Sequence, residues 1–417
     1  MKIYIKILIF LSLICGYAFV TRGQDDSQTD LRVNPEIDIT EPSGNAEEIP
    51  SFPSFINLDC NRISMNGDDW TELVALIDGA DSARFNIVHI GDSHLQADMA
   101  TAVTRKRLGN HYGSAGRALI IPFKLAGTNE PADYVLTTET PVEKSRLLKT
   151  PWPTEMGFTG ISVKPMRKEF EMTLTCHEPF DSIAVFYSGE DLDVISNVKS
   201  VQNHKGIAQI ALPDTCSSCT LRFRASSTPC IHGFNLLKGN SGIAYHVIGN
   251  NGATYASYNG VDKFAHDVSH LNPGLIIISL GTNEAFGRTS NAELSAQMRT
   301  LITGLKSTCP NAKFLLTTPS ECQRRTYRGR GRNRRRTGYA VNDNVARLRR
   351  TILEFGEKNN IPVYDFYAVA GGDGSSAKWL KEGIMNKDRV HLLKNGYIIQ
   401  GHLFTDALER AFESYRK

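Results

Sequence analysis

The sequence lacks a strong charge excess, a high cysteine content and any apolar run long enough to cross a membrane. Its 417 residues include 47 lysines and arginines against 44 aspartates and glutamates, so the chain as a whole is not suited to general nucleic-acid binding. Eight cysteines in a chain of this length exclude a small disulfide scaffold. The hydrophobic content of 41% excludes a wholly disordered chain, and the length predicts roughly two to four domains.

Residues 1–23 are typical of a secretory signal peptide. Lys2 and Lys6 lead into the apolar run 7–20, which is shorter than the ~20 residues that a membrane-spanning helix needs. We therefore expect cleavage at the end of this segment and an exported protein, periplasmic or secreted, without a transmembrane segment. A lipoprotein anchored through Cys15 is the alternative, although the residue before that cysteine is bulky where a small one is expected.

Composition and periodicity divide the rest of the chain into four parts. Residues 24–50 carry eight acids and one base, which predicts a disordered acidic tether. Residues 51–132 and 243–417 alternate strand-like and helix-like segments, which predicts one α/β domain with a parallel sheet. Residues 133–242 contain short strand-like runs separated by turn residues, which predicts an inserted β-sandwich domain. The predicted strands include 83–90, 275–280 and 312–318 in the α/β domain and 170–175, 182–187, 207–212, 220–224 and 231–237 in the insert.

Two blocks carry residues suited to nucleophilic catalysis. Ser93 follows the first predicted strand in the sequence Gly-Asp-Ser-His, where a tight turn into a helix would present its hydroxyl. The alternative is that Ser93 only caps the helix. Asp388 and His391 lie three residues apart before the last predicted helix, so they form either a carboxylate–imidazole pair that acts as a base or a simple polar turn. The G-x-S-x-G elbow of common α/β-hydrolases is absent from the sequence, so a serine enzyme here must be of another type.

Two further blocks are suited to stabilising an oxyanion. Asn283 follows the predicted strand 275–280, and a side-chain amide at that point can donate a hydrogen bond to a developing negative charge. The block Gly-Asn-Asn-Gly-Ala-Thr follows a strand-like run at 245–248, and Gly249 and Gly252 are both candidates for a backbone N–H that approaches the same centre. Because the carboxyl ends of parallel strands meet at one edge of a sheet, we expect these blocks to lie together.

The order of these blocks resembles that of the SGNH hydrolases, also called GDSL esterases. The resemblance covers about residues 83–130 and 243–417, and it implies a three-layer, flavodoxin-like parallel-sheet hydrolase domain. It further implies an acyl-serine mechanism that needs no metal or other cofactor. The implied residues are Ser93, Asp388 and His391 for catalysis, and Ser93, Gly252 and Asn283 for the oxyanion hole, where the family's spacing favours Gly252 over Gly249.

His94 follows the nucleophile where most relatives have leucine. This departure resembles a bacterial subgroup similar to peptidoglycan O-acetylesterases and other carbohydrate esterases, in which a β-rich, carbohydrate-binding-like domain can be inserted after the serine block. The resemblance therefore implies an exported esterase that removes O-acetyl groups from a polysaccharide or peptidoglycan. The alternatives are a lipid-directed esterase or lysophospholipase on the same scaffold, and a glycan-binding protein with a vestigial site.

An arginine-rich segment at 321–337 contains a single acid, Glu321. It follows a predicted strand on the side where a substrate would lie, so Arg324, Arg325 and Arg328 are candidates for docking an anionic substrate. The alternative is a solvated, mobile surface loop, whose charge the acidic tether at 24–50 can already satisfy. The eight arginines of the segment are Arg324, Arg325, Arg328, Arg330, Arg332, Arg334, Arg335 and Arg336.

Two features of the insert have alternative interpretations. Cys216 and Cys219 form a Cys-x-x-Cys pair that fits a redox or zinc site, but without a second such pair a local disulfide or buried thiols are favoured. Trp152 and Tyr187 could stack on sugar rings, although core packing is the more usual role of such side chains.

Overall fold

The computed structural model describes residues 51–329 and 335–416. The predicted signal peptide and acidic tether lie outside the described residues, as do Arg330, Arg332 and Arg334. The helices are α1 (Thr71–Asp78), α2 (Ser93–Gln96), α3 (Met99–Tyr112), α4 (Tyr255–Asn259), α5 (Phe264–Ser269), α6 (Thr282–Phe286), α7 (Asn291–Thr308), α8 (Asp343–Lys358), α9 (Phe366–Val369), α10 (Ser375–Lys381) and α11 (Lys394–Tyr415), with a 3-10 turn at Leu58–Cys60. Within the described part of the chain, no helix is both long and apolar enough to span a bilayer.

The strands form two large sheets and one hairpin. Their bounds are β1 (Ile63–Ser64), β2 (Arg84–Gly91), β3 (Ala118–Ile120), β4 (Tyr134–Thr137), β5 (Val142–Arg146), β6 (Ile161–Pro165), β7 (Glu169–Ser188), β8 (Leu192–Val194), β9 (Ser200–His204), β10 (Ile207–Ala225), β11 (Cys230–Leu237), β12 (Gly242–Gly249), β13 (Leu275–Ser279), β14 (Lys313–Thr317), β15 (Gln323–Arg328), β16 (Arg335–Val341) and β17 (Val363–Tyr364).

The predicted parallel sheet is confirmed. Its order is β1-β17-β14-β13-β2-β12, and all of its pairs are parallel except that of β1 with β17. Ile276 and Ile278 of β13 pack into one hydrophobic core, whereas Leu275 and Ile277 pack into another. Because alternate residues of a strand point to opposite faces, the sheet is covered on both sides and the α/β domain has three layers.

The strands of the predicted insert form one continuous nine-stranded antiparallel sheet. The segments predicted as separate strands at 170–175 and 182–187 are halves of β7, and those at 207–212 and 220–224 are halves of β10. The two long strands stay paired with each other through register shifts on either side of Cys216, so the turn residues at their centres do not end them.

A separate inserted β-sandwich is not confirmed. The nine-stranded sheet includes β3, which precedes the predicted boundary at residue 133 and pairs with β11. Its core is also continuous with the α/β domain, since Val88 and Ile90 of β2 belong to the same buried cluster as Phe234 of β11. The division of the chain into domains therefore remains a prediction.

Three local predictions have clear outcomes. The arginine-rich segment is a β-hairpin of β15 and β16 where the structure describes it, and not an irregular loop. Cys216 and Cys219 are free thiols, like the other cysteines from Cys60 to Cys322. Tyr187 is buried and Trp152 packs against the core with its Nε1–H donating to a backbone carbonyl, so both rings have the core role.

Candidate active site

Ser93, His391 and Asp388 form a continuous chain of hydrogen bonds. The Oγ atom of Ser93 lies 2.8 Å from Nε2 of His391, and Nδ1 of His391 lies 2.7 Å from Oδ2 of Asp388. All three residues are partly buried, and the side chains of His391 and Asp388 are 12% and 29% exposed. The carboxylate accepts a hydrogen bond from Nδ1–H, which leaves Nε2 free to accept the proton of the serine hydroxyl.

The nucleophile is positioned by the end of β2. Asp92 caps α2 by accepting a hydrogen bond from the backbone N–H of His94 at 2.9 Å, and Ser93 is the first residue of that helix. Gly91 allows this turn, because a Cβ atom there would lie 2.4 Å from Cδ1 of Leu95 and 2.9 Å from the carbonyl oxygen of Ser279. A larger residue at 91 would displace the segment that carries Ser93.

The loop before α11 holds the base. Oδ1 of Asp388 accepts hydrogen bonds from the backbone N–H groups of Val390 and His391 at 2.9 and 3.0 Å. Burial raises the pKa of the Asp388 carboxyl, but the hydrogen bond and charge of His391 together with the two backbone donors outweigh it and hold this pKa below its usual value. Asp388 is therefore ionised at neutral pH, as an orienting carboxylate must be.

The oxyanion candidates occupy the two neighbouring strand ends. Asn283 is in the first turn of α6, and its Nδ2 lies 3.0 Å from the carbonyl oxygen of Ala253 and 3.4 Å from Oδ2 of Asp92. Gly252 has a left-handed φ of 82° and is partly exposed on the turn after β12. The structure thus brings Asn283, the Gly252 turn and the serine block to the same edge of the parallel sheet.

Gly249 has a different environment. It is buried at the end of β12, and a Cβ atom there would lie 2.7 Å from the backbone nitrogen of Gln96 and 2.8 Å from Leu95. Its lack of a side chain allows β12 to pack directly against α2. This close contact accounts for a glycine at 249 without an oxyanion role, whereas Gly252 lies in the exposed turn.

Gln96 is a site residue that sequence reasoning missed. Its buried side chain accepts a hydrogen bond from the backbone N–H of Asn251 at 2.7 Å, and its amide group donates to Thr128 and Asn129. These contacts fix the turn that carries Gly252 to the helix that carries Ser93. The position three residues after the nucleophile is visible in the sequence, but its partners are not.

His94 packs beside the base. Its ring centroid lies 5.2 Å from that of His391, and its Nδ1 lies 3.1 Å from the hydroxyl of Tyr397 on α11. Burial, together with the charge of His391, lowers the pKa of His94 to about 3. His94 is therefore neutral at physiological pH and adds no charge next to the base.

Two buried carboxyls lie behind the oxyanion candidates. Burial raises the pKa of Asp92 to about 6 and that of Glu284 to about 7, although hydrogen bonds from backbone N–H groups partly oppose both shifts. Oε1 of Glu284 accepts from the backbone N–H of Tyr255 at 2.9 Å, while Oε2 has no hydrogen-bond partner among the described residues.

Comparison with known families identifies the C-terminal half of this site. Residues 231–399 match the GDSL-like Lipase/Acylhydrolase family, and this range contains Gly252, Asn283, Asp388 and His391. These residues form a GDSL-like lipase/acylhydrolase domain. The resemblance drawn from the sequence motifs is confirmed, and the GDSL domain is that of a carboxylic ester hydrolase.

One solved structure shares the fold of the chain well beyond the matched domain. A peptidoglycan O-acetylesterase has a TM-score of 0.71 and 20% sequence identity, over 84% of this chain and 99% of its own. A GDSL-like lipase from Bacteroides thetaiotaomicron (22% identity, 40% of this chain and 76% of its own, TM-score 0.30) and an acetyl xylan esterase (18%, 40% and 81%, TM-score 0.31) match smaller parts. No curated protein matches the chain in sequence.

Proposed function

We propose that the protein is an exported serine esterase that removes O-acetyl groups from a carbohydrate polymer. The hydrogen-bonded chain Ser93–His391–Asp388, with distances of 2.8 and 2.7 Å, carries this proposal. The fold shared with a peptidoglycan O-acetylesterase supports the choice of substrate. The signal-like residues 1–23 support export, to the periplasm or the outside of the cell.

The reaction proceeds by acyl transfer in two halves. Oγ of Ser93 attacks the acetyl carbonyl carbon as its proton passes to Nε2 of His391, and Asp388 stabilises the imidazolium that results. The N–H groups of Ser93 and Gly252 and the amide of Asn283 are the proposed donors to the oxyanion. Nε2 then protonates the departing sugar oxygen, and water activated by His391 releases acetate from the serine.

The nine-stranded sheet contributes a wall to this site. The segment between β5 and β6 brings Leu148 to 3.5 Å from the position of a Cβ atom on Gly252, and the carbonyl oxygen of Thr159 accepts a hydrogen bond from Nδ2 of Asn250 at 2.9 Å. Leu148 therefore lies against the oxyanion turn on the side of the nine-stranded sheet.

Substitution of Ser93 tests the chemistry. We expect Ser93→Ala to lose turnover of a short aryl ester, because Ser93 Oγ is the nucleophile that lies 2.8 Å from the base His391. His391→Ala should lose a comparable amount, since members of a triad act as a unit. Ser307→Ala, at an exposed position on α7, is the matched control and should retain activity. Unchanged hydrolysis by folded Ser93→Ala protein would overturn the mechanism.

The substrate is tested by acetate release. O-acetylated peptidoglycan, acetylated xylan and a phospholipid are compared at equal ester concentration, together with aryl esters from acetyl to octanoyl. We expect acetate from a glycan and a steep fall in rate with acyl length, because a closed pocket excludes added methylenes. A preference for octanoyl esters or phospholipid would instead establish the lipid-directed esterase.

A further inference from the structure

The hairpin of β15 and β16 is attached to the loop that carries Asp388 and His391. The backbone N–H of Gln323 donates to the carbonyl oxygen of Arg389 at 2.9 Å, and Nη1 of Arg389 donates to Oε1 of Gln323 at 2.7 Å. On the second strand, the hydroxyl of Tyr339 donates to the carbonyl oxygen of Lys387 at 3.0 Å. The base of the hairpin is thus held directly beside the candidate active site.

Some of the hairpin's positive charge is already engaged. The guanidinium carbon of Arg389 lies 4.1 Å from the centroid of the Tyr339 ring, and that of Arg336 lies 4.6 Å from it. These cation–π contacts bind the hairpin to the catalytic loop. They also leave the Tyr339 ring occupied, so it is not a free platform for stacking nucleic-acid bases.

Three other arginines of the hairpin face solvent: Arg324, Arg328 and Arg335. Arg328 and Arg335 are directly opposite each other in the antiparallel pair, an arrangement that is unfavourable for like charges. Within the described ranges, none of the three pairs with a carboxylate. Among the described residues, the hairpin therefore presents positive charge without a carboxylate partner, and its base is attached to the catalytic loop.

We propose that Arg324, Arg328 and Arg335 form a docking surface for a carboxylate-bearing polysaccharide. The proposal rests on the proposed function, since the polymer bound there would lead its acetylated sugar to Ser93. Guanidinium groups pair with carboxylates through two parallel hydrogen bonds, and an anion between Arg328 and Arg335 would relieve their repulsion. A lipid surface is disfavoured, because binding to a bilayer needs exposed apolar side chains. In the described part of the hairpin, the large hydrophobic residue that is exposed is Val341, at the end of β16.

Binding to the same polymer with and without its charge tests the proposal. Full-length Ser93→Ala protein, which leaves acetyl groups in place, is co-sedimented with peptidoglycan sacculi and with sacculi whose carboxylates have been converted to amides. Adding R324Q, R328Q and R335Q should weaken binding to native sacculi roughly tenfold at low salt and reduce its salt dependence. Binding to amidated sacculi should be weak and unaffected by these substitutions.

The control removes equal charge elsewhere. Lys168, Lys199 and Lys205 are exposed residues in the turns between strands of the nine-stranded sheet, and K168Q, K199Q and K205Q together should leave binding to native sacculi unchanged. Equal loss in this control, or full retention by the arginine variant, would overturn the proposal. The arginine variant is also tested with duplex DNA and with anionic phospholipid vesicles. If it loses binding to one of these ligands but still binds sacculi, the proposal is overturned in favour of that ligand. Acetate release is measured separately with the protein that retains Ser93. Failure of the esterase assignment would therefore be detected independently of the binding result.

Discussion

The tautomer of a single imidazole decides whether Ser93 is activated. Asp388 accepts a hydrogen bond from Nδ1–H of His391 at 2.7 Å, whereas an amide at 388 would present a donor or a neutral oxygen. We expect Asp388→Asn to lower kcat for an aryl acetate by roughly 10³–10⁴-fold, because the imidazole adopts the wrong tautomer. Steady-state kinetics check this. Asp81→Asn, at an exposed position, is the control, and a kcat for Asp388→Asn within a few-fold of the parent would contradict the role of Asp388.

Glu284 gives stability a definite pH dependence. Its pKa rises from 4.5 in the unfolded chain to about 7 in the buried site, so the folded state binds more protons between these values. The contribution of Glu284 to stability is fully present below about pH 4.5 and is lost as the pH rises to about 7, by roughly 3 kcal/mol at most. Glu284→Gln should remove this loss. Denaturant unfolding at pH 5 and pH 8 measures it, and an equal pH dependence in both proteins would contradict the assignment.

At the residue scale, the sequence predicts the residues that react with substrate better than the residues that hold them in position. Ser93, Asn283 and His391 are recognisable because each residue type suits one chemical task and follows an identifiable strand or precedes a helix. Gln96 and Glu284 have partners more than 25 residues away in sequence, Asn251 and Tyr255 respectively, so their importance depends on tertiary packing.

The close contact between β12 and α2 depends on Gly249. A Cβ atom at 249 would meet the backbone of Leu95 and Gln96 at 2.7–2.8 Å, and backbone atoms cannot move aside like the end of a flexible side chain. We expect Gly249→Ala to destabilise the protein by roughly 1–3 kcal/mol and to lower turnover by moving Ser93. Thermal unfolding and aryl acetate kinetics measure the two effects.

Gly260 provides the matched glycine for that test. It caps α4 with a φ of −81°, and an added Cβ atom would make only ordinary contacts at 3.5–3.6 Å. Gly260→Ala should therefore be neutral or slightly stabilising. Equal behaviour of the two alanine variants would show that β12 and α2 are not held by this contact.

Strand and helix positions in the α/β domain are largely predictable, because buried parallel strands appear as apolar runs of distinctive length. The sequence from Leu95 to Leu108 has the apolar spacing of one continuous helix, but Asp98, with a left-handed φ of 55°, divides this stretch into α2 and α3. The β-rich region is harder to predict. β7 and β10 continue through turn-like residues because their pairing with each other supplies the hydrogen bonds, and pairing between distant segments is not visible in local sequence.

A buried ion cluster joins the two sheets of the molecule. Arg117, with 2% of its side chain exposed, lies 2.5 Å from carboxylate oxygens of both Asp98 and Asp133, and Arg105 contacts the same two acids. Asp98 precedes α3 in the α/β domain, whereas Asp133 precedes β4 of the nine-stranded sheet. Together with the shared core, this cluster connects the two sheets energetically.

Removing one member of that cluster should be costly. Arg117→Ala leaves Arg105 as the remaining arginine partner of the buried Asp98 and the partly buried Asp133, and we expect a loss of roughly 3–5 kcal/mol in the free energy of unfolding. Calorimetry of the intact chain measures it, with the exposed Arg167→Ala as the control. A loss no larger than that of the control would show that the cluster does not link the sheets.

The nucleophile and its base are 298 residues apart in the chain, and the entire nine-stranded sheet is encoded between them. A ribosome adding about 5–20 residues per second needs roughly 15–60 s to make that interval. During this time the growing chain already contains Ser93 but not the imidazole that activates it. Ester hydrolysis therefore begins only after both Ser93 and His391 have been synthesised and folding has brought them to 2.8 Å from each other.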